Sequence, residues 1–240
     1  MFVVETEEAF EIVRGGTEGG VFVTCEHASE RMPEPWSWPD ADRRLLGTHW
    51  ASDLGAADLA REYAAETRTV AVLSRFSRLL CDPNRGELEP SLFRDVAERA
   101  PVHLNREISP SDRERRLHHY HRPFRAAVAR EIDRHQGLHT LLSVHSFTPL
   151  YEGQPRWLEI GVLFDREEEL GEQLVSAFAR AGFHTRPNEP YSGKDGLIHS
   201  AALHADRVGI RAVELEVRQD LAVDPAFRAR LLAVLAQELR

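Results

Sequence analysis

Cysteine is nearly absent. The 240 residues hold two, Cys25 and Cys81, each inside an apolar run. That leaves no disulfide framework and no thiolate metal cluster, and both are expected as reduced core side chains. Long apolar runs are missing too: none approaches the roughly 20 residues that a membrane span needs. The first residues carry Glu5, Glu7, Glu8 and Glu11 rather than a basic region followed by an apolar core. No secretory signal is therefore expected, and the expected compartment is the cytoplasm. A basic surplus is also lacking. The net charge of −9, with histidines neutral, excludes the concentrated positive face that a nucleic-acid backbone demands. It leaves room for a small anionic ligand, because a few arginines make a local positive pocket. Internal repeats and low-complexity tracts are absent, and nothing in the chain sets an oligomeric state. What remains suits one α/β domain over 1–240, with 42% hydrophobic residues to fill its core.

Apolar and amphipathic segments alternate along the chain. Val21–Cys25, Thr69–Leu73, Leu138–His145, Glu159–Phe164 and Ile210–Val217 read as strands, being short and mostly rich in β-branched or aliphatic residues. Ala51–Glu66, Asp112–His135, Glu167–Ala181 and Pro225–Leu239 read as helices. Pro123 is expected to kink or divide the second of these, and Gly182 to close the third. The order β-α-β-α-β-β-α-β-α predicts an α/β fold with a mixed, mostly parallel sheet covered by helices on both faces. Met32–Asp42, Gly86–Pro110 and Thr185–Gly196 lack this periodicity and are expected as functional loops.

The chemistry gathers at strand ends. Cys25-Glu26-His27-Ala28-Ser29-Glu30 follows the first apolar strand, and Ser143-Val144-His145-Ser146 ends a later one. Open α/β sheets present their chemistry at the carboxyl ends of strands, and neutral imidazole is the commonest zinc ligand from a protein. A hydrolytic zinc takes three protein ligands and leaves a fourth position open. His27 and His145 are the first two; Glu26, Glu30 and Asp53 are the candidate carboxylates for the third. Glu30 lies three residues after His27, a short spacing many metallohydrolases use. Asp53 is expected on the first turn of a helix. Glu214 and Glu216 share one face of a strand, as does Arg218, which is placed to neutralise one of them. Ser74–Arg85 is rich in arginine, a pattern suited to a carboxylate pocket. Trp36, Trp38 and Trp50 hint at a bulky apolar wall.

These motifs resemble the N-formylglutamate amidohydrolase family. The matching pieces are Cys-Glu-His-Ala-Ser at 25–29, His-Trp-Ala-Ser-Asp-Leu-Gly-Ala at 49–56 and Ser-Arg-Leu-Leu-Cys-Asp-Pro-Asn-Arg at 77–85. Tyr-His-Arg-Pro at 120–123, Ser-Val-His-Ser-Phe at 143–147, Asn-Glu-Pro-Tyr-Ser-Gly at 188–193 and Leu-Glu-Val-Arg-Gln-Asp-Leu at 215–221 follow in order. The resemblance implies a three-layer α/β/α sandwich like the zinc carboxypeptidases, with a mixed eight-stranded sheet. It implies deacylation of a small anionic N-acyl amino acid, N-formyl-L-glutamate in the named activity, with one zinc ion per chain. His27 and His145 match the family's metal histidines, and Asp53 an acidic position of its site. Asn84 and Arg85 are implied ligands of the substrate carboxylate, with Arg78 in support. Glu216 is implied as the general base, with Arg218 beside it, and Tyr191 as a donor from a covering loop. Two alternatives accompany this reading: a deacylase for a different acyl group, and a non-catalytic sensor of acidic metabolites.

Overall fold

Val21–Cys25, Val70–Ser74 and Thr140–Phe147 are buried along their whole length, which marks them as central strands covered on both faces. The computed structural model describes residues 3–15 and 20–239. In chain order, β1 (Val3–Thr6), β2 (Phe10–Arg14) and β3 (Val21–Cys25) precede α1 (Ala56–Thr67) and β4 (Val70–Ser74). A small hairpin of β5 (Val96–Ala97) and β6 (Ala100–Pro101) leads to α2 (Pro110–Arg116) and α3 (Arg122–Arg134). Next come β7 (Thr140–Phe147), a second hairpin of β8 (Leu150–Tyr151) and β9 (Gln154–Pro155), and β10 (Ile160–Leu163). The chain continues with α4 (Glu168–Arg180), β11 (Thr185–Pro187), α5 (His199–Val208), β12 (Arg211–Arg218), α6 (Gln219–Ala222) and α7 (Pro225–Glu238).

Eight strands form one mixed sheet in the order β1-β2-β4-β3-β7-β12-β10-β11. The contacts β4–β3, β3–β7, β7–β12 and β10–β11 are parallel; β1–β2, β2–β4 and β12–β10 are antiparallel. Helices α1, α4 and α7 cover one face around Tyr63, Leu174, Phe178 and Leu231. Helices α3 and α5 cover the other around Phe124, Val128, Ala201 and Ala205. The fold is thus the expected three-layer α/β/α sandwich. Along β12, Val213, Leu215 and Val217 enter the first core, so Glu214 and Glu216 face the second layer. His145 faces the same way, because Leu142 and Val144 point into the first core.

Two helix boundaries differ from the sequence expectation. Residues 51–55 form a turn, and α1 starts only at Ala56, after Gly55 at φ +80°. A Cβ on Gly55 would come within 2.4 Å of the Ala222 carbonyl carbon. Gly55→Ala is therefore expected to destabilise the fold by roughly 2 kcal/mol or more, read from its denaturant midpoint. The expected helix over 112–135 is divided. A π-helical turn, Leu117–His121, joins α2 to α3, and the Arg122 N–H reaches the Leu117 carbonyl. Pro123 has no N–H to donate, and the chain widens by one residue just before it. Gly182, at φ +86°, ends α4 as expected. The N-terminal hairpin β1–β2 and strand β11 lie in stretches that sequence periodicity did not assign. Cys25 and Cys81 are buried and unpaired. Among the described residues no helix is long and apolar enough to cross a membrane.

Candidate metal centre and active site

Strands β7 and β12 run parallel with His145 opposite Glu216 and Ser143 opposite Glu214. Strand β3 lies on the other side of β7, and His27 follows its last residue by two positions. Backbone and hydroxyl bonds stitch the loops beyond these strand ends together. Asp53 N–H donates to the His27 carbonyl at 2.9 Å. Ser146 Oγ donates to the Leu54 carbonyl and Ser77 Oγ to the Ala51 carbonyl, each at 2.8 Å.

This stitching brings Asp53 between the two histidines. Its Oδ2 lies 2.8 Å from His145 Nδ1 and 3.3 Å from His27 Nδ1, and accepts the Ser146 N–H at 3.2 Å. One donor atom from each of His27, Asp53 and His145 lies within 4.8 Å of the others, and none of the three residues is more than 5% exposed. The outer ring nitrogens face carboxylates. His27 Nε2 is 2.8 Å from Asp82 Oδ1. His145 Nε2 is 3.3 Å from Glu26 Oε2 and 3.5 Å from Glu214 Oε2, without hydrogen-bond geometry to either. A carboxylate behind an imidazole fixes its tautomer and leaves the inner nitrogen free for a metal. Asp82 is held in turn by the Asn84 N–H at 2.9 Å and by Arg78 at 2.9 and 3.3 Å. Ser143 Oγ donates to Glu26 at 2.9 Å.

The charge balance suits a cation. Glu26, Asp53, Asp82, Glu214 and Glu216 are all buried here. Among the described residues, Arg78 is the one arginine within ion-pair distance of any of them. Burial opposes ionisation of Asp53, yet the His27 and His145 rings hold it well below the usual carboxylate range. Burial likewise opposes ionisation of Asp82, and His27 and Arg78 overcome it. Against burial, contacts to His145, Ser143 and Ser200 bring Glu26 down to about 2. Burial wins at Glu216, whose carboxyl is pushed well above its ordinary value, and it also raises Glu214. Two inward-facing imidazoles, a shared carboxylate and an excess of buried negative charge fit a divalent metal of the zinc type.

A cavity of about 340 Å³ opens over this cluster, with Arg78, Arg85, Arg94 and Tyr191 among its walls. His49, Trp50, Arg94 and Tyr151 also line a neighbouring cavity of about 600 Å³, whose far side is the two hairpins.

The family model for N-formylglutamate amidohydrolase matches residues 19–223. The chain belongs to the N-formylglutamate amidohydrolase family. It is an amide hydrolase by that membership, and it takes a small amide substrate. Among solved structures it is similar to a gene product of Agrobacterium tumefaciens, at 30% identity and a TM-score of 0.90. That match covers 97% of this chain and 94% of the other. The N-formylglutamate amidohydrolase of Ralstonia eutropha shares the fold at 18% identity and a TM-score of 0.74, covering 98% and 99% of the two chains. No curated protein sequence matches the chain.

In this amidohydrolase the structure gathers His27, Asp53, His145, Glu216, Arg78, Asn84, Arg85 and Tyr191 around one cavity. Asn84 is already committed: its Oδ1 accepts the Ser200 N–H at 3.0 Å and its Nδ2 donates to the Leu197 carbonyl at 3.3 Å. Arg85 donates to Ser91 Oγ and to the Asn84 carbonyl. Tyr191 Oη accepts from Arg156 at 3.1 Å.

Two expected residues stay outside. Glu30 is exposed, and its carboxylate accepts the Gly47 N–H at 2.8 Å. The segment after His27 runs without helix, pinned by Ala28 N–H to Ser74 Oγ and Ser77 N–H to the Arg31 carbonyl. The Glu30 carboxylate is thereby directed to the Gly47 N–H and away from His27. Arg218 turns to Asp220, at 2.8 and 3.1 Å, and to the Arg156 carbonyl rather than neutralising Glu216. Glu216 Oε2 is left without a hydrogen bond. Trp36 and Trp38 pack elsewhere, and only Trp50 of that loop reaches the cavity. Asp82, Arg94 and Arg156 were not singled out from the sequence. For Asp82 the signal was present in the Asp-Pro-Asn-Arg motif itself.

Proposed function

We propose that this protein is a zinc-dependent deacylase of N-acyl acidic amino acids such as N-formyl-L-glutamate. On this reading it works in the cytoplasm as one domain over 1–240. The observation that carries the proposal is the His27–Asp53–His145 cluster opening onto a cavity that also presents Glu216 and several arginines. His27, Asp53 and His145 would hold the ion, with Asp82 and Glu26 orienting the imidazoles. A bound zinc would polarise the amide carbonyl and acidify the attacking water. Glu216 accepts a proton from that water and returns it to the leaving nitrogen, giving a free amine and a carboxylic acid. Arg85 binds a substrate carboxylate, while Arg78 steadies Asp82 and Asp53. Tyr191 lines the approach.

The neighbouring cavity supports a second reading, an acyl group longer than formyl, because Val96, Leu150 and Tyr151 offer it apolar contact. The test is metal content together with turnover of N-formyl-, N-acetyl- and N-succinyl-L-glutamate. About one zinc per chain and the highest kcat/KM on the formyl compound are expected. Preference for a longer acyl group would favour the second reading. No bound metal and no turnover of any of the three would end both.

A further inference from the structure

Among the described residues, Arg94 is the arginine of the cavity lining that has no hydrogen-bonding or ion-pair partner. The other arginines of that lining are engaged: Arg78 with Asp82 and Asp53, and Arg85 with Ser91 and the Asn84 carbonyl. The Arg94 guanidinium lies over the Trp50 ring, 5.3 Å from the centroid. It is only partly exposed, and burial followed by repulsion from Arg78 lowers its proton affinity. Attraction from Asp82 acts against this, but a partly desolvated cation with no direct partner still favours an anion arriving from outside the chain.

The backbone beneath it is fixed. Arg94 follows the 3-10 turn Pro90–Phe93, in which Leu92 and Phe93 are buried. The Leu92 carbonyl accepts the Asp82 N–H at 2.9 Å, and the Arg94 carbonyl accepts Asn105 Nδ2 at 2.8 Å. The side chain therefore projects from a segment tied to the Asp82 loop into the opening shared by both cavities. The indole contact steadies the guanidinium, whose N–H donors can receive a planar carboxylate in bidentate fashion.

We propose that Arg94 determines specificity by binding the second carboxylate of a dicarboxylic substrate, the first lying on Arg85. This deepens the reading of an N-acyl acidic amino acid and rests on it. An acidic residue carries two carboxylates, and the arginine the sequence points to accounts for one. Arg94 supplies a separate cation on the Trp50 side of the cavity, leaving the amide to face His27, His145 and Glu216.

The test uses the metal-loaded protein and two probes, glutarate and butyrate, titrated calorimetrically into wild type, Arg94→Met and Arg94→Lys. Wild type is expected to bind glutarate more tightly than butyrate by about 10- to 100-fold, the worth of a charged hydrogen-bonded contact. Arg94→Met should erase that preference with its melting temperature held, and Arg94→Lys should restore part of it. In turnover, the preference for N-formylglutamate over N-formylglutamine should fall in Arg94→Met through a higher KM rather than a lower kcat. A dicarboxylate preference that survives in Arg94→Met, or is absent from wild type, overturns the proposal. Loss of the preference in Arg94→Met without turnover of any N-acylglutamate would support Arg94 as the anion site and refute the deacylase reading instead.

Discussion

Glu216→Gln is expected to bind metal like the wild type and to lose roughly 10²–10⁴-fold in kcat, the range general base catalysis supplies. The substitution keeps the shape of the side chain and removes its ability to accept a proton. Glu216 stands opposite His145 across a parallel strand pair, with Glu214 two residues earlier on the same face. Both carboxylates line the cavity, so both are tested as the proton acceptor. Neither Oε2 accepts a hydrogen bond among the described residues, but Glu214 Oε2 lies 3.5 Å from His145 Nε2, an ion-pair contact that Glu216 lacks. The base is therefore expected to be Glu216, with Glu214→Gln costing much less. Steady-state kinetics beside metal analysis of both variants decides. Near-normal turnover in Glu216→Gln with a dead Glu214→Gln would transfer the role.

Asp53→Ala is expected to lose metal and activity together. Among the described residues, Asp53 Oδ2 is the one oxygen that meets both Nδ1 atoms, and it also accepts the Ser146 N–H. Its removal leaves two imidazoles to hold an ion. The expected fall in affinity exceeds the 10- to 100-fold that loss of an outer-shell partner typically costs. Competition against a chromophoric chelator measures it. Asp53→Asn keeps the volume and separates the charge from the packing, since Arg78 and Ser146 retain a polar neighbour. Full metal content in Asp53→Ala would shift the centre to His145, Glu214 and Glu216, whose donor atoms also gather within 4.8 Å.

Legibility in the sequence followed the reach of each interaction. Strands β3 and β4 are readable because burial on both faces selects continuous apolar runs, and β7 and β12 because aliphatic residues recur at alternate positions. Strand β1 is mostly exposed and mixes Glu5 with Val3 and Val4, so no run marks it. His27 and His145 are readable because strand ends place chemistry at one edge of the sheet. Glu30 stays outside the cluster because its spacing from His27 does not say which way the irregular segment after β3 turns the side chain. Asp82 meets His27 across 55 residues of sequence, a contact that no local pattern encodes. The same holds for Arg94: which arginine finds a carboxylate and which does not is a property of the folded molecule.

The two hairpins, β5–β6 and β8–β9, stand apart from the eight-stranded sheet and share no ladder with it. They wall the outer cavity, while the histidines and Glu216 hang from the sheet and its immediate loops. The far wall of the outer cavity and the histidine cluster thus rest on separate scaffolds. Substitutions in the hairpins are therefore expected to reshape the outer cavity while leaving the His27–Asp53–His145 cluster in place.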